Sequence, residues 1–386
     1  MKLMVVLSRV PWPLEKGDKL RAYHFIREWS KDHDVALFCL TDSKVDPKAE
    51  AKLKEICTEV HIQRLSRLNI LIRLAKGMFN PLPYQVSYFY SKGAQKAFDR
   101  FLDRNVPDHI FCQLVRTAEY VRKYTIIPKS LDYMDAFSVG MWRMAKGASW
   151  PLSMLMKLES KRLENYEGIV QDEFTHRYII SNQDKEQLIH LRDLTVVANG
   201  IDPALLEAQS ASQKSKKYDV LFTGNMAYRP NVESAKFLVN EIMPIVWSKY
   251  PDAIMCLAGA TPTPQVRSLA SEKVIVTGWV DDIAEVYRNA KVFVAPMIVN
   301  TGLQNKLLEA MALNVPSVTT SLANNALMAK SNDEVLIGDT PSELAMHISN
   351  LLENEALRTD LARRGNSYVI ANFSWSKFAQ NISQSF

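Results

Sequence analysis

The chain has 386 residues, more than one core ordinarily holds and enough for two domains. It is 47% apolar and 23% charged, which excludes a disordered or low-complexity protein. The net charge of +5 suits anionic small molecules or an acidic membrane surface. It gives no case for nucleic acid, because the basic clusters lack interleaved aromatics and no binding motif is present.

The opening MKLMVVLSRVPWP carries an apolar run too short for a signal peptide, so a first strand is expected over 3–8. PLEKGDKLR (13–21) follows. There Gly17 can bring the loop close to a phosphate, with Lys19 or Arg21 adding charge. The same stretch also reads as a solvated turn before a helix over 20–31, with Asp18 as N-cap. Further strands are expected at 34–41 and 58–63.

RLSRLNILIRLAKGMF (64–79) mixes Arg64, Arg67, Arg73 and Lys76 with Leu65, Leu68, Leu71 and Ile72. That is either a basic amphipathic helix lying on anionic lipid or a surface helix packed by its apolar stripe. MWRMAKGASWPLSMLMK (141–157) has the same character. Strands at 108–114, 130–135, 177–182 and 195–199 alternate with helices at 92–104 and 152–171. DYMDAF places Asp135 at a strand's carboxyl end, where a carboxylate can orient or deprotonate a hydroxyl, or make a helix cap or Asx-turn. Asp132 falls within the strand.

The polar stretch 211–219 reads as a linker or exposed loop, after which the alternation resumes. Strands are expected at 219–224, 253–259, 273–280, 291–297, 315–320 and 334–338, with a helix at 230–249 and helices to the end. Gly200, Gly224, Gly259, Gly278 and Gly302 each follow a strand. The adjacent Asp281 and Asp282 read as the N-cap of a helix over 283–290 rather than a metal pair. Cysteines 39, 57, 112 and 256 are scattered, as buried reduced thiols of a cytoplasmic protein would be. No apolar run approaches a membrane span.

The most informative stretch is MIVNTGLQNKLLEAMALNVPSVTT (297–320). In a helix over 302–313, Leu303, Leu307, Ala310 and Met311 share one side at about 100° per residue. Gly302, Asn305, Lys306 and Glu309 share the other. Asn314 is placed for a left-handed turn after the helix. A strand–helix–strand unit of this kind implies a parallel sheet, whose ligands sit at strand carboxyl ends against helix N-termini. Free N–H groups at Gly302 would attract a diphosphate, and Lys306 would add a full charge. Glu309, roughly 10 Å along the axis from Gly302, could accept ribose hydroxyls. The plainer alternative is an amphipathic helix with an exposed Lys–Glu pair.

FTGNMAYRPNVESAKFLVNEIMPIV, VTGWVDDIAEVYRNAKVFVAPM and NTGLQNKLLEAMALNVPSVTT resemble the donor-binding domain of retaining GT-B glycosyltransferases of family four. PWPLEKGDKLRAYHFIREWS, LDYMDAFSVGMWRMA and LESKRLENYE are similar to sugar transferases of bacterial exopolysaccharide clusters, including the PEP-CTERM-associated type. VANGID (197–202) resembles the family's hinge.

The resemblance implies an α/β GT-B fold of two Rossmann-like domains facing across a deep cleft. Residues 1–198 would form the acceptor side and 199–372 the nucleotide-sugar-binding domain, with a C-terminal helix, 373–386, crossing back. It implies retaining transfer from a nucleoside diphosphate-sugar to a glycan or polyprenyl-linked acceptor in cell-surface polysaccharide biosynthesis. The enzyme would be cytoplasmic, compatible with peripheral contact to the inner membrane, and would use no cofactor and no metal. Its catalytic groups would be Asp135, Lys306 and Arg229. Its donor site would draw on Gly17, Gly224, Asn225, Trp279 and Val280, and then on Thr301, Gly302, Leu303, Gln304, Lys306 and Glu309.

Two departures stand out. Many members carry a glutamate eight positions before the one matching Glu309, where this chain has Thr301. Many also carry an Arg and a Lys after the first strand of the donor domain, where GNMAYRPN offers only Arg229. Two alternatives follow: a nucleotide-sugar epimerase on the same fold, and a non-catalytic nucleotide- or sugar-binding protein.

Overall fold

The computed structural model describes residues 1–14, 16–77, 80–208, 216–299 and 302–386. Strand and helix alternate throughout, as the apolar runs and their turn-rich separators require. The first sheet contains β1 (Lys2–Leu7), β2 (Asp34–Thr41), β3 (Glu59–Arg64), β4 (His109–Gln113), β5 (Lys129–Asp132), β6 (His176–Ile179) and β7 (Leu194–Val196). The second contains β8 (Tyr218–Thr223), β9 (Met255–Ala258), β10 (Val274–Gly278), β11 (Ala290–Ala295), β12 (Ser317–Thr319) and β13 (Leu336–Ile337).

Both sheets are parallel, in the orders β3-β2-β1-β4-β5-β6-β7 and β10-β9-β8-β11-β12-β13. Their central strands are buried along nearly their whole length, because helices cover both faces. Each order reverses direction once, beside β1 in the first sheet and beside β8 in the second. Ligands of such sheets bind at the carboxyl ends next to that reversal. The α/β architecture is that of the GT-B fold.

The chain divides into one unit of Met1–Ala198 with Trp375–Phe386, and a second of Asn199–Ser374. The helix Trp375–Ser383 therefore completes the first unit. Trp375 stacks on His24 at 4.9 Å and meets Phe25 edge-on at 5.3 Å, while Trp29 Nε1 donates to the Ala379 carbonyl at 3.0 Å.

Several sequence boundaries are corrected. The helix expected at 20–31 is Gly17–Trp29. Asp18 is not its cap but pairs with Arg9 at 2.7 Å, and Lys16 holds the capping position. Arg21 is not a phosphate ligand. It is fully buried in a two-pronged pair with Asp132, Nε to Oδ2 at 2.6 Å, and its Nη1 donates to the Ala198 carbonyl at 3.1 Å. The strand expected to reach 135 ends at Asp132.

Arg64 ends β3, so it lies outside the helix Arg67–Lys76 that Ser66 caps. Arg67 donates to the backbone carbonyl of Asp42, and Arg73 to those of Ser87 and Tyr88. The expected helix at 230–249 runs from Arg229 to Lys249 with a π-turn at Leu238–Ile242. Asp282 does cap its helix, Ile283–Arg288, accepting from the Glu285 N–H. All four cysteines are buried free thiols. Among the described residues no helix is long and apolar enough to cross a membrane, and no cluster of potential metal ligands occurs.

Candidate active site

The helix expected to begin at Gly302 spans Asn305–Ala312, with Gln304 in the capping position. Gly302 has φ +71°, a left-handed conformation incompatible with helix, so the chain turns there before winding up. The Gln304 side-chain amide donates to the Gly302 carbonyl at 2.9 Å and locks that turn. Leu307, Leu308, Ala310 and Met311 are buried, which leaves Lys306 and Glu309 on the remaining face. Asn314 follows with φ +55°. The N–H groups of the helix N-terminus therefore belong to Asn305 and Lys306, not to Gly302.

Lys306 stands at the carboxyl edge of the second sheet. Its Nζ donates to Asn231 Oδ1 at 2.5 Å and lies 4.6 Å from the centre of the Phe222 ring, on β8. Asn231 is held in turn by donating to the Asn225 carbonyl at 2.9 Å. Gly224 ends the same strand with φ +152°, and a Cβ there would sit 2.6 Å from Asn231 Nδ2 and 3.2 Å from Lys306 Nζ. Glycine is what leaves room for the ammonium group. No carboxylate lies within ion-pair distance of Lys306 among the described residues. Burial pushes its pKa down to about 7, against a smaller opposing pull from Glu309. A cation so placed gains from a dianion that restores its charge.

Glu309 lies one turn further along. Its Oε2 is 2.9 Å from the Tyr287 hydroxyl, which also sits 2.6 Å from Thr223 Oγ1 and 3.2 Å from the Lys306 carbonyl. Burial raises the Glu309 pKa, and the Tyr287 hydrogen bond opposes the rise. The hydrogen bond engages one carboxylate oxygen and leaves the other available to a ligand hydroxyl.

The structure thus brings together Gly224, Asn225, Lys306 and Glu309, and adds Asn231, Tyr287 and Phe222. Leu303 is half-buried beside the turn. Arg229 is exposed at the first position of its helix, and among the described residues no hydrogen bond or ion pair joins it to Lys306. Trp279 and Val280 follow β10; Trp279 is 67% exposed and its indole N–H donates to Asp281 at 3.1 Å. Thr301 lies outside the described residues.

In the first unit, Gly17 is exposed at the start of its helix, and a Cβ there would meet nothing within 4 Å. The local backbone does not demand glycine. Asp135 lies three residues beyond β5, past Met134 with its left-handed φ of +63°. Its carboxyl is open to solvent, yet the surrounding protein, with Asp184 and Asp132, pushes its pKa up to about 7, against Arg21.

The second-unit geometry is an ammonium group and a helix N-terminus at the switch point of a parallel sheet. Residues 217–354 match the family model of the group 1 glycosyl transferases. The matched stretch contains every second-unit residue named above that the structure gathers round Lys306. Over 99% of this chain and 98% of its own length, an uncharacterised 44.6 kDa protein of the cps region of Klebsiella pneumoniae is 22% identical. Sucrose-phosphate synthase from Thermosynechococcus elongatus has the same fold, with a TM-score of 0.70 at 14% identity, covering 100% of this chain and 98% of that one. Anabaena Alr3699/HepE in complex with UDP is similar too, with a TM-score of 0.68 at 13% identity, covering 100% and 99%.

Asn231, Tyr287 and Phe222 escaped the reading of the sequence. Asn231 had a signal, since it closes the GNMAYRPN loop just before a helix. Tyr287 had none, because a tyrosine at a buried helix position reads as core.

Proposed function

We propose that the chain is a retaining glycosyltransferase, moving a hexose from a nucleoside diphosphate-sugar to a glycan or lipid-linked acceptor. The observation that carries this reading is the half-buried Lys306 ammonium beside Gly224, with no carboxylate within ion-pair distance among the described residues and the helix N-terminus next to it. That arrangement offers preorganised positive charge to a leaving diphosphate. Lys306 and the N–H groups of the turn supply the charge that a metal would otherwise bring, so the reading includes neither metal nor cofactor. Glu309, steadied by Tyr287, holds the ribose. Arg229, Asn225 and Leu303 approach the donor from the rim, Gly302 and Gln304 from the turn before the helix, Trp279 and Val280 flank the base, and Thr301 is assigned to the donor on the sequence alone. Gly17 and Asp135 act from the first unit, Asp135 as base toward the acceptor hydroxyl.

The UDP bound by the Anabaena neighbour supports a nucleotide donor, and the cps region of the Klebsiella relative supports a role in surface polysaccharide synthesis. The reading places the enzyme in the cytoplasm, at the inner membrane when its acceptor is lipid-linked.

Calorimetry with UDP, GDP and ADP and their sugars tests it. One nucleotide class should bind the wild type, and Lys306→Ala should weaken it by about 1.5–3 kcal/mol while leaving the fold intact. Unchanged affinity in Lys306→Ala would show that the diphosphate lies elsewhere. Product analysis by NMR should show a transferred sugar with its anomeric configuration kept. Free nucleoside diphosphate together with a free, epimerised sugar would instead identify an epimerase.

A further inference from the structure

The first unit contains a cavity of about 1290 Å³ that none of the residues assigned above explains. Its floor is the carboxyl end of β1 and β2, with Arg9, Leu40 and Thr41. Its walls come from three helices, through Leu74, Met141, Leu152, Leu155 and Met156. This exceeds an ordinary small-molecule pocket, roughly 300–1,000 Å³.

Charge in the cavity is unbalanced. Five basic side chains line it: Arg9, Lys16, Lys19, Lys44 and Arg116. Three acidic ones do: Asp42, Asp46 and Glu159. Each acid already serves the protein. Asp42 accepts from the Tyr88 hydroxyl, and Asp46 caps a helix through the Lys48 N–H at 2.7 Å. Glu159 accepts from the Tyr84 and Gln85 N–H groups at 2.7 and 2.9 Å.

Arg116 is the group least accounted for. It donates to the neutral Gln85 side chain at 3.0 and 2.5 Å and lies against the Phe89 and Phe137 rings. Among the described residues no carboxylate is within ion-pair distance of it. Burial and then the nearby Arg9 lower its pKa to about 10, with Asp18 and Asp135 opposing. A half-buried guanidinium held by aromatics and an amide, with the guanidinium of Arg9 nearby and, among the described residues, only Asp18 paired to Arg9, is a setting an anion would complete.

The rim is apolar and does not stop at the cavity. On one helix Leu74 is preceded at i−3 by Leu71, 65% exposed. On another, Leu152, Leu155 and Leu158 recur every three residues, all exposed. Water-facing leucines in this register, running out of a cationic cavity, fit a ligand with a charged head and a long aliphatic tail.

We propose that this cavity binds the acceptor, and that the acceptor is a lipid phosphate ester. Its phosphate or diphosphate meets Arg116 and Arg9, and its aliphatic chain runs over Leu74, Leu152 and Leu155. The assignment rests on the glycosyltransferase reading for the word acceptor, but the binding itself does not.

The test is calorimetry on the full chain with farnesyl diphosphate, inorganic pyrophosphate and farnesol. It is done in the Lys306→Ala background so that diphosphate binding by the second unit is weakened. Farnesyl diphosphate should bind at least tenfold more tightly than either fragment. Adding Arg116→Gln should weaken it roughly ten- to hundredfold. Leu155→Asp, on the exposed rim where folding is safe, should weaken farnesyl diphosphate and leave pyrophosphate unchanged. Farnesyl diphosphate binding no tighter than pyrophosphate, or insensitive to Leu155→Asp, overturns the proposal. So does binding to phosphatidylglycerol vesicles that Leu155→Asp abolishes while farnesyl diphosphate fails to bind, which would mark a membrane-docking face. UDP titrated against the wild type separates the two readings, because its failure would sink the donor site alone.

Discussion

At the scale of single residues, Glu309 and Asp135 make opposite demands on their surroundings. Glu309 is held by Tyr287 through one of its two carboxylate oxygens. Glu309→Gln should weaken nucleoside diphosphates and their sugars alike, and leave pyrophosphate affinity unchanged, when each is titrated by calorimetry. Equal loss for pyrophosphate would mean that the helix itself had been disturbed. Asp135 must lose its proton to act as a base, and its pKa is pushed up to about 7. The rate should therefore rise with pH through about 7 and then level off. In Asp135→Asn that limb should vanish, with a loss of roughly 10²–10⁴ in kcat/KM. A carboxyl whose pKa is raised on folding opposes stability once ionised, so the variant should unfold no earlier than the wild type at pH 8. A variant that kept the acidic limb would assign the base elsewhere.

Elements show why part of this could be read from sequence and part could not. Strands covered on both faces must be continuous apolar runs, so KLMVVL and DVALFCLT announced β1 and β2 directly. The polar face of Asn305–Ala312 was legible for the same reason: its period survives in the chain. The start of that helix was not, because Gly302 falls in the helical period on the polar side and yet adopts a left-handed conformation outside the helix. Arg21 was misread for a different reason. Its partner Asp132 is 111 residues away, and no local pattern records such a pairing. The pair joins the helix after β1 to the end of β5, with both side chains fully buried. Arg21→Met would strand the Asp132 carboxylate in the interior and should cost about 3–5 kcal/mol in denaturant unfolding. A loss below 1 kcal/mol would mean that water reaches the site.

For the molecule as a whole, the feature that matters is the return of the chain to its first unit through Trp375–Phe386. Trp375, Ala379 and Ile382 are buried against the helix Gly17–Trp29. Removing everything after Ser374 should lower the first unit's melting temperature and leave nucleotide binding by the second unit intact, as followed by calorimetry. Unfolding of the second unit instead would contradict the division of the chain. The same return sets an order of events during synthesis. At about 5–20 residues per second, a ribosome spends on the order of ten seconds or more on Asn199–Ser374. Throughout that time the surface of Phe25 and Trp29 that Trp375 will cover stays open. The N-terminal half is thus made first but finished last, and nascent chains halted before the final helix should be the ones that chaperones hold.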